Sequence, residues 1–591
     1  MIFMINVTNM MHSRTRRISR ILIMLIILII QITVQTTFAQ SRESKGRILN
    51  QISSVPIRND FAMVAARIYL GKDTAAAYRQ LDTLLSRAYG DMFWMYGCAG
   101  LYYATGDRLR PEYKARICEC WKHYTPYRGD TENHFLMYYG SLLLMAQAWP
   151  DLLDTDWFMG KSSKDIYDES KEYLDHWIDE TVRNGQEEWD SPRYGYYYIT
   201  PLALLAEYTK DKRMKHRFEM MLEYELASYA ADYLNGSYCG AHSRVSDECA
   251  IDPHAAEIET YGNYFFDESG GAARLDTLSA KCPDIAFAAM TSFQCPKIIR
   301  NIANDRDSAY EQFSLKRGRQ MLRYLDKWSS TDSSYDSEYH APVYKYDYMT
   351  KDYCLGSMQG GIIQPIQQQS WSLVFNSDKH HNIITGLNPY VSATELGMFF
   401  PEYPSFQLEK ISGTKASYTS ENKWEGGSPY EHIYQDKNVL VALYDLPDSE
   451  KYRHVDLLVP CPPFRSAFIR QGKNPGQLWL NFSLDSLHVY IYPLDSFEWL
   501  RDTTGVRLRT LVGFVVYCDP PDSVIRAIDS EHWYFEDDAL VSNRTQTTIP
   551  MGETKPKRND WLFHSPFLES KKGSGILTMH CKGETRVLDF N

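Results

Sequence analysis

From about residue 45 to 325 the apolar positions recur at steps of three and four, the spacing that lines one face of a helix. The segments 74–88, 91–104, 132–149, 164–183, 197–209 and 211–234 carry this pattern, and 310–328 reads as the last of the set. Gly90, Gly106, Pro111, Pro126, Gly160, Gly185 and Pro192 punctuate them. Helical hairpins of this length predict an α/α array. No fixed-period repeat is visible, which favours a closed ring over a regular solenoid.

Beyond Ser329 the runs shorten and alternate. Ser370–Phe375, Val439–Tyr444, Leu478–Phe482, Val489–Tyr492, Val506–Tyr517, Gly575–His580 and Thr585–Phe590 read as strands between Pro, Gly, Asn and Asp turns. Helices first and strands afterwards argue for two packed regions rather than interleaved βαβ units. The expected fold is α+β and multidomain: an N-terminal (α/α) toroid over residues 40–328, then a C-terminal antiparallel β-sandwich over 329–591. Ser329–Ser334 is the expected linker.

The first 39 residues stand apart. Arg14, Arg16, Arg17 and Arg20 precede an apolar run from Ile21 to Ile30, and Thr37-Phe38-Ala39 offers a small-x-small cleavage site. That order is the mark of a secretory signal peptide, and the run is short for a membrane span. The chain is therefore expected to be exported, to a periplasm or out of the cell, with no membrane span once the leader is removed. Eleven cysteines would then meet an oxidising compartment, where Cys239 and Cys249 are one pair able to bridge. Cys118-x-Cys120 lacks a second pair at zinc spacing and reads as two ordinary thiols.

Composition narrows the function. The 591 residues carry 63 Lys and Arg against 75 Asp and Glu, a net charge of −12. Such a chain has no electrostatic reason to bind nucleic acid. Tyr, at 43 residues, and Trp, at 13, suit contact with sugar rings.

Four constellations can carry chemistry. Thr131-Glu132-Asn133-His134 opens a helix, with Thr131 or Asn133 as its cap, and sets an amide beside an imidazole. Such a pair can hold a carboxylate or a developing enolate. Trp189-Asp190-Ser191-Pro192-Arg193-Tyr194 follows, an aromatic turn in which Tyr194 beside Arg193 can move a proton. Next come His242, Arg244, Asp247, Glu248, Asp252, His254, Glu257, Glu259 and Tyr261, where Arg244 can grip a carboxylate in bidentate fashion. The fourth sets Lys351, Tyr353, Gln369 and Trp371 where the β region begins. For each, packing or a salt-bridged surface is the competing reading.

The Asn133-His134 helix with its Gly-Ser-Leu-Leu-Leu run resembles the Asn-His helix of heparinase II/III-like and alginate-lyase-like polysaccharide lyases. Ser191-Pro192-Arg193-Tyr194 is similar to the Ser-Pro-x-Tyr motif downstream in the same families, and toroid plus sandwich is also their architecture. The resemblance implies that Asn133 and His134 neutralise a uronate carboxylate and that Tyr194 exchanges the proton of a β-elimination. Glu132 stands where these lyases often carry a second Asn. Their His-rich, metal-binding strand has no counterpart here, His380-His381 being the nearest residues, so no metal is expected and the second catalytic His is unplaced.

The expectation is an exported lyase acting on an acidic polysaccharide or oligosaccharide without a cofactor. Asn133, His134, Tyr194 and Arg244 would be catalytic. Trp189, Arg193, His242, His254, Tyr261, Tyr353 and Trp371 would line the substrate. Two alternatives stay open. One is a glycoside hydrolase using Asp190 with Glu248 or Glu259. The other is a non-catalytic glycan-binding relative.

Overall fold

A computed structural model describes residues 44–86, 91–123, 127–129, 131–157, 160–267, 272–317, 342–399, 416–460, 466–471, 478–484, 487–501, 505–519, 533–537, 539–543, 548–550 and 560–591. The leader at 1–39 and the linker at 329–334 lie outside them.

Helices fill the N-terminal half. Phe61–Leu70, Met92–Thr105, Glu132–Ala148 and Tyr196–Tyr208 touch in succession, and Ile285–Met290 contacts both Tyr196–Tyr208 and Phe61–Leu70. These central helices are buried nearly all round, so their sequences are apolar on every face. Ser163–Asn184 packs outside Glu132–Ala148, and Lys212–Ala231 outside Tyr196–Tyr208. Their starts are written in short polar side chains. Asp60, Asp91, Ser162 and Asp211 each accept a first-turn N–H, and Ser162 forms a reciprocal capping box with Asp165. Among the described residues no helix is long and apolar enough to cross a membrane.

The C-terminal part is dominated by an antiparallel sheet of twelve strands. Its central strands are Ile383–Leu387, Trp371–Phe375, Tyr353–Gly360, Pro342–Met349, Tyr310–Arg317 and Trp561–His564, in that order across the sheet. A second sheet of six strands includes Val439–Tyr444, Gly513–Cys518 and Leu487–Pro493. One apolar cluster joins the two, with Leu355, Trp371, Leu373 and Leu457 from the first against Leu440, Val489, Phe514 and Val516 from the second.

The expected helix over 310–328 is corrected at its start: Tyr310–Arg317 is a strand. It pairs with Pro342–Met349 along its full length and with Trp561–His564. Pairing partners distant in sequence decide its conformation, which local spacing does not register. The sheet therefore begins at Tyr310 rather than after Ser329. The expected strand Val506–Tyr517 is two strands, Gly505–Thr510 and Gly513–Cys518, parted by a turn at Leu511 and Val512.

Where the sheet meets the helices, its buried face is charged. Lys316 and Lys345 converge on Asp190, at 2.9 and 2.6 Å, and Lys345 also reaches Asp232 at 3.3 Å and Asp347 at 3.7 Å. Tyr238 donates to Asp190 at 2.7 Å. Burial works against ionised Asp190, but the two ammonium groups outweigh it and hold its pKa below the ordinary value. Burial raises Asp232 and Asp347, with Lys345 opposing, and lifts Glu225 to about 8.

The Glu225 shift has a sign that can be tested. Between its ordinary pKa near 4.5 and the folded value near 8, the native state holds the proton that the unfolded chain releases. Stability is full below that window and is lost as pH rises through it. The expected slope is up to about 1.4 kcal/mol per pH unit for this group. Urea midpoints at pH 5.5 and 8 should show the fall, and Glu225→Gln should flatten it. An unchanged slope in the variant would remove Glu225 as its source.

Candidate functional site

The turn between Ser163–Asn184 and Tyr196–Tyr208 is laced to the start of Glu132–Ala148 by two glutamates. Glu132 accepts the N–H groups of Glu187 and Glu188 at 3.1 and 2.8 Å, and Trp177 donates to its other oxygen at 3.0 Å. Glu188 returns the contact. It accepts the Asn133 N–H at 3.1 Å and the Asn133 side-chain amide, and Tyr198 donates to the same oxygen at 3.2 Å. Thr131 occupies the cap position, but its hydroxyl caps nothing. Glu188, from outside the helix, supplies the anion that a helix N-terminus favours. Burial pushes the Glu132 carboxyl up, with Arg317 opposing.

The second oxygen of Glu188 accepts from Arg244 Nε at 2.5 Å, and the Arg244 terminal nitrogen donates to Gln367. So oriented, the guanidinium lies over the Tyr194 ring, 4.7 Å from its centroid. The Ser191 hydroxyl ties the two residues through their backbones. It accepts the Tyr194 N–H at 2.9 Å and donates to the Arg244 carbonyl at 3.0 Å. Arg244 sits at φ 52°, a left-handed conformation costing a non-glycine residue about 1–3 kcal/mol. Its neighbours hold it there: His242–Ser243 pairs with Gln368–Gln369, and the Val245 N–H donates to the Gln367 carbonyl at 3.1 Å. Helix termini thus supply Tyr194 and Asn133, while the sheet side fixes Arg244.

The four expected catalytic residues divide. Tyr194 and Arg244 are in contact. His134 is half-buried, edge-on to Phe93 at 5.3 Å, and Phe93 in turn packs edge-on against Tyr197 at 5.2 Å. The backbone of Gly129, at φ 79°, presses on the imidazole so closely that a Cβ would overlap it. Asn133 is corrected as an exposed group: it is sealed at 0% exposure, its side-chain nitrogen donates to Glu188, and its Oδ1 has no hydrogen-bond partner.

The expected substrate-lining set is corrected more heavily. Trp189, Tyr261 and Trp371 are at 0% exposure. Tyr353, His242 and His254 are buried too. Large aromatics bury well, and these pack the core and the seam instead of a cleft. His242 Nδ1 donates to the Asp190 carbonyl at 2.7 Å, and burial drops its pKa to about 4. His254 pairs with Glu259 at 2.9 Å. Only Arg193 of that set keeps substantial exposure, with Glu257 at 3.5 Å. Lys351 lines a different recess of about 580 Å³, with Asn235, Asn263 and Asn376. The hydrolase pair fails as drawn: Asp190 is buried between two lysines, Glu259 is buried on His254, and Glu248 is exposed.

Glu187 and Glu188 belong to none of the four sequence constellations, and Gln367, within the run that opens the β region, has no role there that local pattern reveals. Glu132, Glu187, Glu188 and Arg244 line one small recess of about 20 Å³, with Thr131, Ser243 and Gln364 completing it. The signal was present in Gln186-Glu187-Glu188-Trp189, where two adjacent acids precede an aromatic turn. Glu188→Gln should cost about 2–4 kcal/mol, since it removes the charge that Arg244 and the Asn133 amide both bind. Adding Arg244→Met should cost less than the sum of the single losses. Urea unfolding of the four proteins measures both terms, and strict additivity would deny the coupling.

No family model matches the sequence, and no curated protein matches it.

Proposed function

We propose that the chain is an exported polysaccharide lyase that cleaves a uronic-acid-containing glycan by β-elimination. The observation that carries the reading is the Arg244 guanidinium held over the Tyr194 phenol by Glu188 and Gln367. The guanidinium suits a uronate carboxylate, and the phenol beside it offers a group able to exchange a proton. The carboxylate must be neutralised before the adjacent carbon can lose its proton, and Arg244 with His134 would do that. Tyr194 would take the proton from C5 as the C4–O4 bond breaks and the C4–C5 double bond forms. It would then deliver that proton to O4 of the leaving sugar. Asn133 would act through Glu188 as a positioning group.

The architecture supports the reading. Central helices that touch in succession and close through Ile285–Met290 suit an (α/α) toroid. Two sheets sharing one apolar cluster suit a β-sandwich. The leader-like first 39 residues support export. The overall negative charge opposes an anionic glycan, and Arg193 and Arg244 offset it locally.

A glycoside hydrolase is the second reading: Glu132, Glu187 and Glu188 ring a recess beside an arginine, and because all three are as buried as Asp190 this reading requires the recess to open. The mature protein incubated with a panel of uronic-acid polysaccharides separates the two. Ultraviolet absorbance of the conjugated unsaturated product supports the lyase. New reducing ends without that absorbance overturn it in favour of the hydrolase. Glycan retention on a native gel with neither signal leaves a binding protein.

A further inference from the structure

Cys239 and Cys354 come from opposite sides of the seam, and each is at 0% exposure. Cys239 ends the segment Ser237–Tyr238–Cys239 that leads to His242, Ser243 and Arg244; Cys354 lies in strand Tyr353–Gly360 of the large sheet. Both belong to one small apolar cluster with Tyr310, Met349, Val374 and Ile383. Cys249, the partner suggested by spacing, lies elsewhere, in the middle of the short helix Asp247–Ile251 within the helical core.

The backbone brings the two thiols together. Gly240 follows Cys239, and Gly356 stands two residues beyond Cys354 on the same face of its strand. A Cβ on Gly356 would overlap the Cα of Gly240 and the Asp347 carboxyl, so the two chains touch there with no side chain between. The Ser372 hydroxyl, opposite Gly356 across the sheet, donates to the Gly240 carbonyl at 2.8 Å. The Cys239 N–H donates to the Asp232 carbonyl at 2.9 Å. With both flanks fixed, the two cysteines are held as free thiols in the same small buried cluster.

We infer that Cys239 and Cys354 are a disulfide site, closed when the chain folds in an oxidising compartment, and that the bond pins the segment presenting Arg244 to the sheet. The inference needs export but not the lyase chemistry. One cysteine thiolate attacks the disulfide of a thiol–disulfide oxidoreductase, forming a mixed disulfide and releasing one oxidant thiol. The second cysteine thiolate then attacks the mixed disulfide and expels the other. Two protein thiols lose two electrons and two protons, and the oxidant leaves as a dithiol. Burial pushes the Cys354 thiol well above its ordinary pKa in the folded state. Exchange is therefore fast only before the sheet and helices dock.

The full chain, expressed with its own leader in an exporting bacterium, is quenched with an alkylating reagent under denaturing conditions and digested without reduction. A linked peptide joining Cys239 to Cys354, split by reductant, is the expected result. Alkyl groups on both residues, or either one bridged to another cysteine, overturn the inference. Should the chain be recovered with its leader in the cytoplasm, the reduced protein is refolded with reduced and oxidised glutathione and mapped in the same way. There the same linked peptide supports the site, and free thiols overturn it. Neither outcome depends on whether any glycan is cleaved.

Discussion

Tyr194→Phe should lower formation of the unsaturated product by about 10²–10⁴-fold, the range expected when a positioned proton-transfer group is removed. In barrier terms this is about 3–5 kcal/mol. The variant keeps the aromatic ring, so the face on which Arg244 rests is preserved, as is the backbone bond from Tyr194 to Ser191. Unfolding free energy should change by less than about 1 kcal/mol, the worth of one hydrogen bond on a half-buried phenol. Loss of rate without loss of stability is the signature to seek, read from initial rates and urea midpoints on the same preparations. Activity within threefold of the parent would take Tyr194 out of the chemistry. Reducing-end release that continues unchanged, without the conjugated product, would move attention to Glu187 and Glu188. Glycan affinity should persist in the variant, because Arg244 and Arg193 keep their charges.

How far the residues announced this arrangement differs along the chain. The helices were legible because Gly and Pro punctuate them and Asp or Ser caps open several. The expected 164–183 and 211–234 become Ser163–Asn184 and Lys212–Ala231. Outer strands such as Val439–Tyr444 were legible from their apolar content. Strands Tyr310–Arg317 and Pro342–Met349 were not, because the positions they bury include Gln312, Lys316, Lys345 and Asp347. A buried charged face inverts the inside-out pattern on which strand reading rests. The site shows the same limit. Ser191-Pro192-Arg193-Tyr194 and Arg244 marked two of its walls, yet the link between them runs through Glu188. Nothing local ties that residue to Arg244. Trp189, Tyr261 and Trp371 stand in or beside the motifs that suggest a cleft, and burial, which sequence does not display, places them in the packing instead.

The charged seam makes the second strong prediction. Lys345→Met should destabilise the protein by about 3–5 kcal/mol, the cost of removing one partner from a buried ion pair. Its ammonium is the contact common to Asp190, Asp232 and Asp347, and without it Asp190 keeps one ammonium, Lys316, and the Tyr238 hydroxyl. Neither Asp347 oxygen has a hydrogen-bond partner, and Asp232 leaves one oxygen unpaired. Lys316 is then the remaining ammonium acting on these acids, and their stronger tendency to hold protons should appear in the variant as a steeper loss of stability toward high pH. Methionine matches the length and apolar stem of lysine, so cavity formation adds little to the effect. Asp190→Asn on the same background should restore part of the loss by removing a charge that now lacks its closest partner. It should destabilise the parent, where that charge is paired. Urea unfolding of the four proteins at neutral pH gives the cycle. A Lys345→Met cost below about 1 kcal/mol, or no recovery in the double variant, would mean that the Lys345 ion pairs add nothing to the hold between helices and sheet.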